Sequence, residues 1–150
     1  MILVDKKYPN ENKEEVVENG IVTMVEEYLT AFEKVVATLA KDLDSRQAIM
    51  HYSEPRYCRP SNKDIPCTMY SQFFVRNGVL NMTTYQRSCD VIKGLSYDIP
   101  WSSYLLLTVA QTLQDKGLNV KPGSLSMVFG SLHLYEKDLE LANRIIQNVL

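Results

Sequence analysis

Cys67 stands directly after Pro66, and a second group of chemically capable residues, Gln86-Arg87-Ser88-Cys89-Asp90, follows it in the chain. A thiol does covalent chemistry as its thiolate, and with an ordinary pKa of about 8.5 it is mostly protonated at neutral pH. A guanidinium beside it favours the charged form, which makes Arg87 the candidate activator of Cys67. The sequence between them supplies the means of contact. Met69–Arg76 and Val79–Arg87 both alternate well enough for strands, and Asn77-Gly78 between them is a strong hairpin signal, since both residues tolerate positive φ. Antiparallel pairing then sets Cys67, at the start of one strand, near Arg87 at the end of its neighbour. Taken singly, each residue has a plainer reading. An isolated cysteine is most often a small buried hydrophobe, and Arg46, Asp90, His133 and Tyr135 read as a surface charge, a turn residue, a structural histidine and a packing ring.

The elements that must hold these residues follow from periodicity. Residues 1–13 are polar and predict a short strand at Ile2–Asp5 and then a loop, with Pro9, Asn10 and Asn12 breaking any pattern. From Glu14 to Ala40 apolar residues recur at helical spacing (Val17, Ile21, Met24, Val25, Tyr28, Leu29, Phe32, Val35, Val36, Leu39), which predicts one long helix or two joined near Gly20. Ala48–Tyr52 reads as a strand, and the proline-containing stretch Glu54–Pro66 as a loop that delivers Cys67 to a strand edge. Ile99, Trp101, Leu105, Val109 and Leu113 predict a helix that opens at Asp98, with Pro100 in its first turn and Gly117 at its C-terminal cap. Pro122-Gly123 then makes a turn, Ser124–Tyr135 a strand, and Asp138–Leu150 an amphipathic helix.

Composition narrows the class of protein. A chain of 150 residues, 45% hydrophobic and 23% charged, is expected to form one globular domain over residues 1–150 with one active site. Its net charge of −2 argues against a nucleic-acid surface and makes a free nucleotide the more natural partner. Met1-Ile2-Leu3-Val4 runs straight into Asp5-Lys6-Lys7, too short an apolar run for a signal peptide, and Tyr104–Ala110 is too short to span a bilayer; a cytoplasmic protein with no membrane partner is expected. Three cysteines without a CxxC pair disfavour disulfides and structural zinc, and His51 is the only histidine besides His133, so no metal site is expected. Cys58 and Cys89 read as structural.

Together, the Pro66-Cys67 step and the Gln86-Arg87-Ser88-Cys89-Asp90 run resemble thymidylate synthase, as does the order of further blocks across residues 39–138. Asp44-Ser45-Arg46 is similar to that family's Asp-Ser-Arg-Arg turn, with Gln47 in place of the second arginine. Gly130-Ser131-Leu132-His133-Leu134-Tyr135 is similar to its Gly-Asp-x-His-x-Tyr block. The resemblance implies an α/β (α+β) fold, a mixed sheet with helices on one face whose other face packs back to back on the same sheet of a second chain in a homodimer. It implies that Cys67 is the nucleophile toward C6 of a pyrimidine and that Arg87, with Gln86 and Ser88, binds the nucleotide phosphate and orients Cys67. It further implies that Arg46 reaches the partner's phosphate in trans, that His133 and Tyr135 hold the deoxyribose hydroxyl, and that Asp90 and Gly94 meet the folate of a 5,10-methylene-tetrahydrofolate donor.

Asp98 discriminates most within that resemblance. Thymidylate synthases carry asparagine here, whereas the related deoxycytidylate hydroxymethylases carry aspartate. Cytosine presents an acceptor at N3 and a donor at its 4-amino group, so a protonated carboxyl can donate to one and accept from the other, and an ionised one can serve if the ring takes the proton instead. The resemblance thus favours dCMP over dUMP and hydroxymethylation over methylation, with dUMP methylation or hydroxymethylation as the alternative and a binding-only or partner-subunit relative as a third. Asp98 read alone is a helix cap. Such hydroxymethylases are associated with viruses that modify their DNA, acting in the host cytoplasm. The sequence departs from the family at Thr68, where histidine is usual, at Lys93, where an apolar residue packs on folate, and in the family's amino- and carboxy-terminal segments, for which it offers no match.

Overall fold

The structure, a computed structural model, describes residues 8–18, 21–54, 57 and 59–149, with side chains described from Leu29 onward. The strand expected at Ile2–Asp5 and Cys58 both lie outside that set. Strands β1 (Tyr8–Glu18) and β2 (Ile21–Leu29) form an antiparallel pair, and helix α1 spans Ala31–Lys41. The helix expected over Glu14–Ala40 is therefore only its second half. Val16, Val17, Ile21, Val22, Thr23 and Val25 are β-branched and suit a pleated pair as well as a helical stripe. Asn19-Gly20, between the strands in sequence, is the same dipeptide that marks the later hairpin. The helix begins where it is capped: Thr30 Oγ1 accepts from the Glu33 backbone N–H at 3.2 Å, and the Glu33 carboxylate accepts from the Thr30 N–H at 2.8 Å.

A four-stranded mixed sheet carries the rest, in the order β3 (Ile49–His51), β4 (Thr68–Arg76), β5 (Val79–Gln86), β7 (Lys121–Phe129). β3, β4 and β5 are antiparallel neighbours and β7 joins β5 in parallel through helix α2 (Leu95–Asp115). The β4–β5 hairpin turns at Asn77 and Gly78, whose φ angles of 54° and 74° are the positive values that this dipeptide tolerates. One face of the sheet is covered by helices. Phe73, Val75, Leu80 and Met82 pack against Val35 and Leu39 of α1 and Leu106, Val109 and Leu113 of α2 in a single buried cluster. On the other face Tyr70 and Tyr85 stack with ring centroids 5.8 Å apart, and Val128 beside them is exposed. No helix among the described residues is long and apolar enough to cross a membrane.

Three expected boundaries move, each for a physical reason. Helix α2 opens at Leu95 rather than Asp98, because Gly94 is its N-cap and its carbonyl already accepts from Tyr97 and Asp98 N–H at 3.0 and 2.9 Å; Pro100 consequently lies inside the helix. Pro122-Gly123 makes no turn and sits within β7, where the register shifts against β5. A Cβ on Gly123 would lie 2.6 Å from Asn81 Oδ1, which instead accepts from the Ser124 N–H and hydroxyl. The strand expected to run to Tyr135 stops at Phe129, and Leu132–His133 forms a separate strand, β8, parallel to β6 (Cys89–Asp90). A short 3₁₀ turn, Glu136–Asp138, leads into helix α3 (Leu139–Val149), and Gly117 at φ 83° follows the end of α2 as expected.

Candidate active site

The hairpin register decides the centre of the site. Thr68 pairs with Gln86, and the Arg87 N–H donates to the Cys67 carbonyl at 2.9 Å. The Arg87 side chain folds back over the loop before Cys67. Its Nε donates to the Pro66 carbonyl at 3.1 Å and its Nη2 to the Ile65 carbonyl at 2.7 Å, leaving Nη2 4.0 Å from Cys67 Sγ. The guanidinium thus clasps the loop and stands beside an exposed thiol. Among the described residues its Nη1 makes no hydrogen bond, so two N–H groups remain for an anion.

Behind the thiol lies a buried polar group of residues. Gln86 is 1% exposed, and its Nε2 donates to Asp98 Oδ2 at 2.9 Å and to Thr68 Oγ1 at 3.2 Å. Asp98 is therefore not the cap of α2. It occupies the first turn with its carboxylate turned to the end of β5. Gln86 Oε1 has no hydrogen-bond partner among the described residues. Cys89 Sγ lies 3.9 Å from the same Asp98 oxygen, and burial, followed by the charge and hydrogen bond of Asp98, pushes the thiol up to about 11. Cys67 is the exposed thiol at the loop edge and Cys89 the buried, protonated one. Thr68, which departs from the family pattern, and Cys89, which read as structural, both join this group. The signal for them was register: Thr68 opposes Gln86, and the short β6 strand turns Cys89 inward.

β6 and β8 bring the two distant blocks together. The Cys89 N–H donates to the Ser131 carbonyl at 2.8 Å and the Val91 N–H to the His133 carbonyl at 2.9 Å, which sets Asp90 against His133. His133 meets the Tyr135 ring edge-on at 5.0 Å, and Ser88 is half-buried between Arg87 and Cys89. Asp90 Oδ1 accepts from the Ile92 and Lys93 N–H groups at 2.9 and 3.3 Å. Gly94 is required by packing in its own right, since a Cβ there would lie 2.9 Å from the Asp90 carbonyl oxygen and 3.3 Å from Cys89 Sγ. Lys93 reaches Asp138, 3.7 Å away, a buried carboxylate in the 3₁₀ turn before α3. Arg46 stands apart from all of these. It is exposed, its carbonyl accepts from Gln72 at 2.9 Å, and it lines a groove with Asp42, Gln47 and His51 that none of Cys67, Arg87 or Asp98 borders.

Known proteins share this arrangement of sequence and fold. The family model for thymidylate synthase matches residues 10–149. The deoxycytidylate 5-hydroxymethyltransferase of Enterobacteria phage T4 is 30% identical over 124 residues, covering 79% of this chain and 50% of that protein. The bifunctional dihydrofolate reductase-thymidylate synthase of Paramecium tetraurelia is 34% identical over 116 residues, covering 77% of this chain and 24% of that protein. The crystal structure of thymidylate synthase from T4 phage superposes with a TM-score of 0.65 at 31% identity, covering 78% of this chain and 39% of that one. The chain thus spans half the length, or less, of these relatives. With the family match running nearly end to end, and with the mixed sheet and its covering helices reproduced in a solved relative, the chain belongs to the thymidylate synthase family.

Proposed function

We propose that this chain carries the nucleotide-reading part of a C5 one-carbon transfer site, and that its reaction is hydroxymethylation of deoxycytidylate with 5,10-methylene-tetrahydrofolate. The observation that carries the choice of base is Asp98, held at one oxygen by the buried Gln86 amide and leaving the other for a ring edge. Cys67 adds as thiolate to C6 of the pyrimidine, which makes C5 nucleophilic. Arg87 holds the loop that presents the thiol and offers Nη1 to the nucleotide phosphate, with Ser88 beside it. His133 and Tyr135 face the sugar, and Asp90 receives the pterin N–H groups through its second oxygen. When bound, the folate supplies the one-carbon unit. With the folate bound, C5 would take up that carbon and lose its proton to solvent as tetrahydrofolate departs, water would capture the exocyclic methylene, and Cys67 would leave as thiolate. The exposed sheet face around Tyr70, Tyr85 and Val128 suits a back-to-back homodimer, in which Arg46, remote from its own cluster, serves the partner's phosphate.

Release of tritium from C5 of labelled deoxycytidylate and deoxyuridylate, each with methylene-tetrahydrofolate, tests this reading. Release from the cytosine substrate, abolished in Cys67→Ala and shifted toward uracil in Asp98→Asn, is the expected result. Release from uracil alone would replace it by the thymidylate synthase activity named for the Paramecium relative. The second reading is a binding-only or partner-subunit relative, in which the site takes a nucleotide without completing the chemistry. Binding without release from either substrate would establish that one.

A further inference from the structure

We infer that Cys89 is a positioning residue that, together with Gln86, determines which oxygen of Asp98 meets the base. The inference rests on the reading of Asp98 as the base-reading group and deepens it. Asp98 Oδ2 faces two buried donors, Gln86 Nε2 at 2.9 Å and Cys89 Sγ at 3.9 Å. Both donors are fixed by strand pairing. Gln86 ends β5 and is 1% exposed; Cys89 is 3% exposed and is locked by the β6–β8 ladder, with Gly94 closing over its sulfur. Because burial keeps the Cys89 thiol protonated, it is a donor and not an anion throughout the physiological range.

The consequence is a matter of hydrogen-bond parity. The Gln86 amide nitrogen can only donate, so a proton on Oδ2 would set hydrogen against hydrogen and a protonated Asp98 carries its O–H on Oδ1; the Cys89 thiol adds to that bias when its one proton points to Oδ2. Oδ1 is then a donor when Asp98 is protonated and an acceptor when it is ionised. The first state suits the bare N3 of cytosine and the second the N3–H of uracil. Without the thiol, Gln86 alone keeps the proton off Oδ2, and the distinction between the two bases weakens. The Asp90 carbonyl, 3.6 Å from Cys89 Sγ, competes with Asp98 for the thiol's one proton, and the Asp90 carboxylate and Cys67 are the other titratable neighbours of the buried thiol.

The test measures affinity for deoxycytidylate and deoxyuridylate by calorimetry in the full chain and in Cys89→Ala, Cys89→Ser and Asp98→Asn. Cys89→Ala should lower the cytosine-to-uracil affinity ratio by about two- to fivefold, the size of one weak hydrogen bond. Cys89→Ser, which restores a donor, should recover it. An unchanged ratio in Cys89→Ala alongside a shifted ratio in Asp98→Asn overturns this inference alone, whereas an unchanged ratio in Asp98→Asn overturns the base-reading role and this inference with it. A ligand-free readout stands beside these. The infrared S–H stretch of Cys89, identified by its loss in Cys89→Ala, should move when Asp98 becomes Ala. A band that stays in place shows that the thiol does not donate to Asp98.

Discussion

Replacing Gln86 by Met sets two opposed effects against each other at one buried position. The amide donates to Asp98 Oδ2 at 2.9 Å and Thr68 Oγ1 at 3.2 Å, while its own Oε1 is unpartnered in a residue 1% exposed. The bond to neutral Thr68 is worth about 0.5–1.5 kcal/mol and the bond to the carboxylate about 1.5–3 kcal/mol. Thr68 and Asp98 are only half-buried, so water replaces part of that loss. Methionine, similar in volume, also removes the orphaned oxygen, which costs about 1–3 kcal/mol as it stands. The two sides nearly cancel. Gln86→Met should therefore lower the unfolding free energy by no more than about 1 kcal/mol, or about 2–4 °C in Tm for a chain of this size. Nucleotide affinity has no such compensation, because losing the bond from Gln86, worth about 1.5 kcal/mol, frees Asp98 to turn and costs roughly tenfold in Kd. Urea titration and calorimetry on the same preparations separate the two outcomes. A stability loss beyond about 3 kcal/mol would refute the reasoning, since it would mean that Oε1 is satisfied and the amide is a full structural member.

Arg87→Lys keeps the charge but cannot clasp the Ile65 and Pro66 carbonyls together. Amide exchange around residues 62–67 should quicken and nucleotide affinity should fall by roughly tenfold or more, the loss of a bidentate contact; unchanged exchange would show that the loop is held by other means. Gly94→Ala places a Cβ 2.9 Å from the Asp90 carbonyl oxygen and should cost about 1–3 kcal/mol by denaturant titration, an overpacking penalty that free accommodation would contradict. The Cys89 thiol loses its proton near 9 in an unfolded chain and at about 11 in the folded one. Between these values the unfolded state binds fewer protons, so this contribution is complete below pH 9 and declines as pH rises through about 11. Cys89→Ala should flatten that alkaline decline in the denaturant midpoint. The raised phenol of Tyr52 leaves a residual slope in both proteins, and parallel curves would remove the thiol from the account.

Short-range chemistry made much of this protein legible before its structure. Asn77-Gly78 forces the hairpin, two-residue alternation fixes which side chains of β4 and β5 face inward, and the pairing of Cys67 with Arg87 follows because both lie within a few residues of that register. The α2 and α3 helices and the Gly117 cap follow from the same kind of local signal, and the order of motif blocks carried the family. Other features depended on contacts between residues far apart in the chain. Apolar spacing over Glu14–Leu29 satisfies a helix and a strand pair alike, and the outcome there is an antiparallel pair that stops where Thr30 and Glu33 cap α1. Pro122-Gly123 has turn chemistry, yet β5 draws it into a strand, because Asn81 supplies the hydrogen bonds that a turn would have made internally. Asp98 has the look of a cap because the residue that does cap α2, Gly94, contributes no side-chain hydrogen bond. The roles of Thr68 and Cys89 depended on the fold for a related reason: register places them, but a hydroxyl and a thiol acquire direction only when a buried amide and a carboxylate from other elements are folded against them.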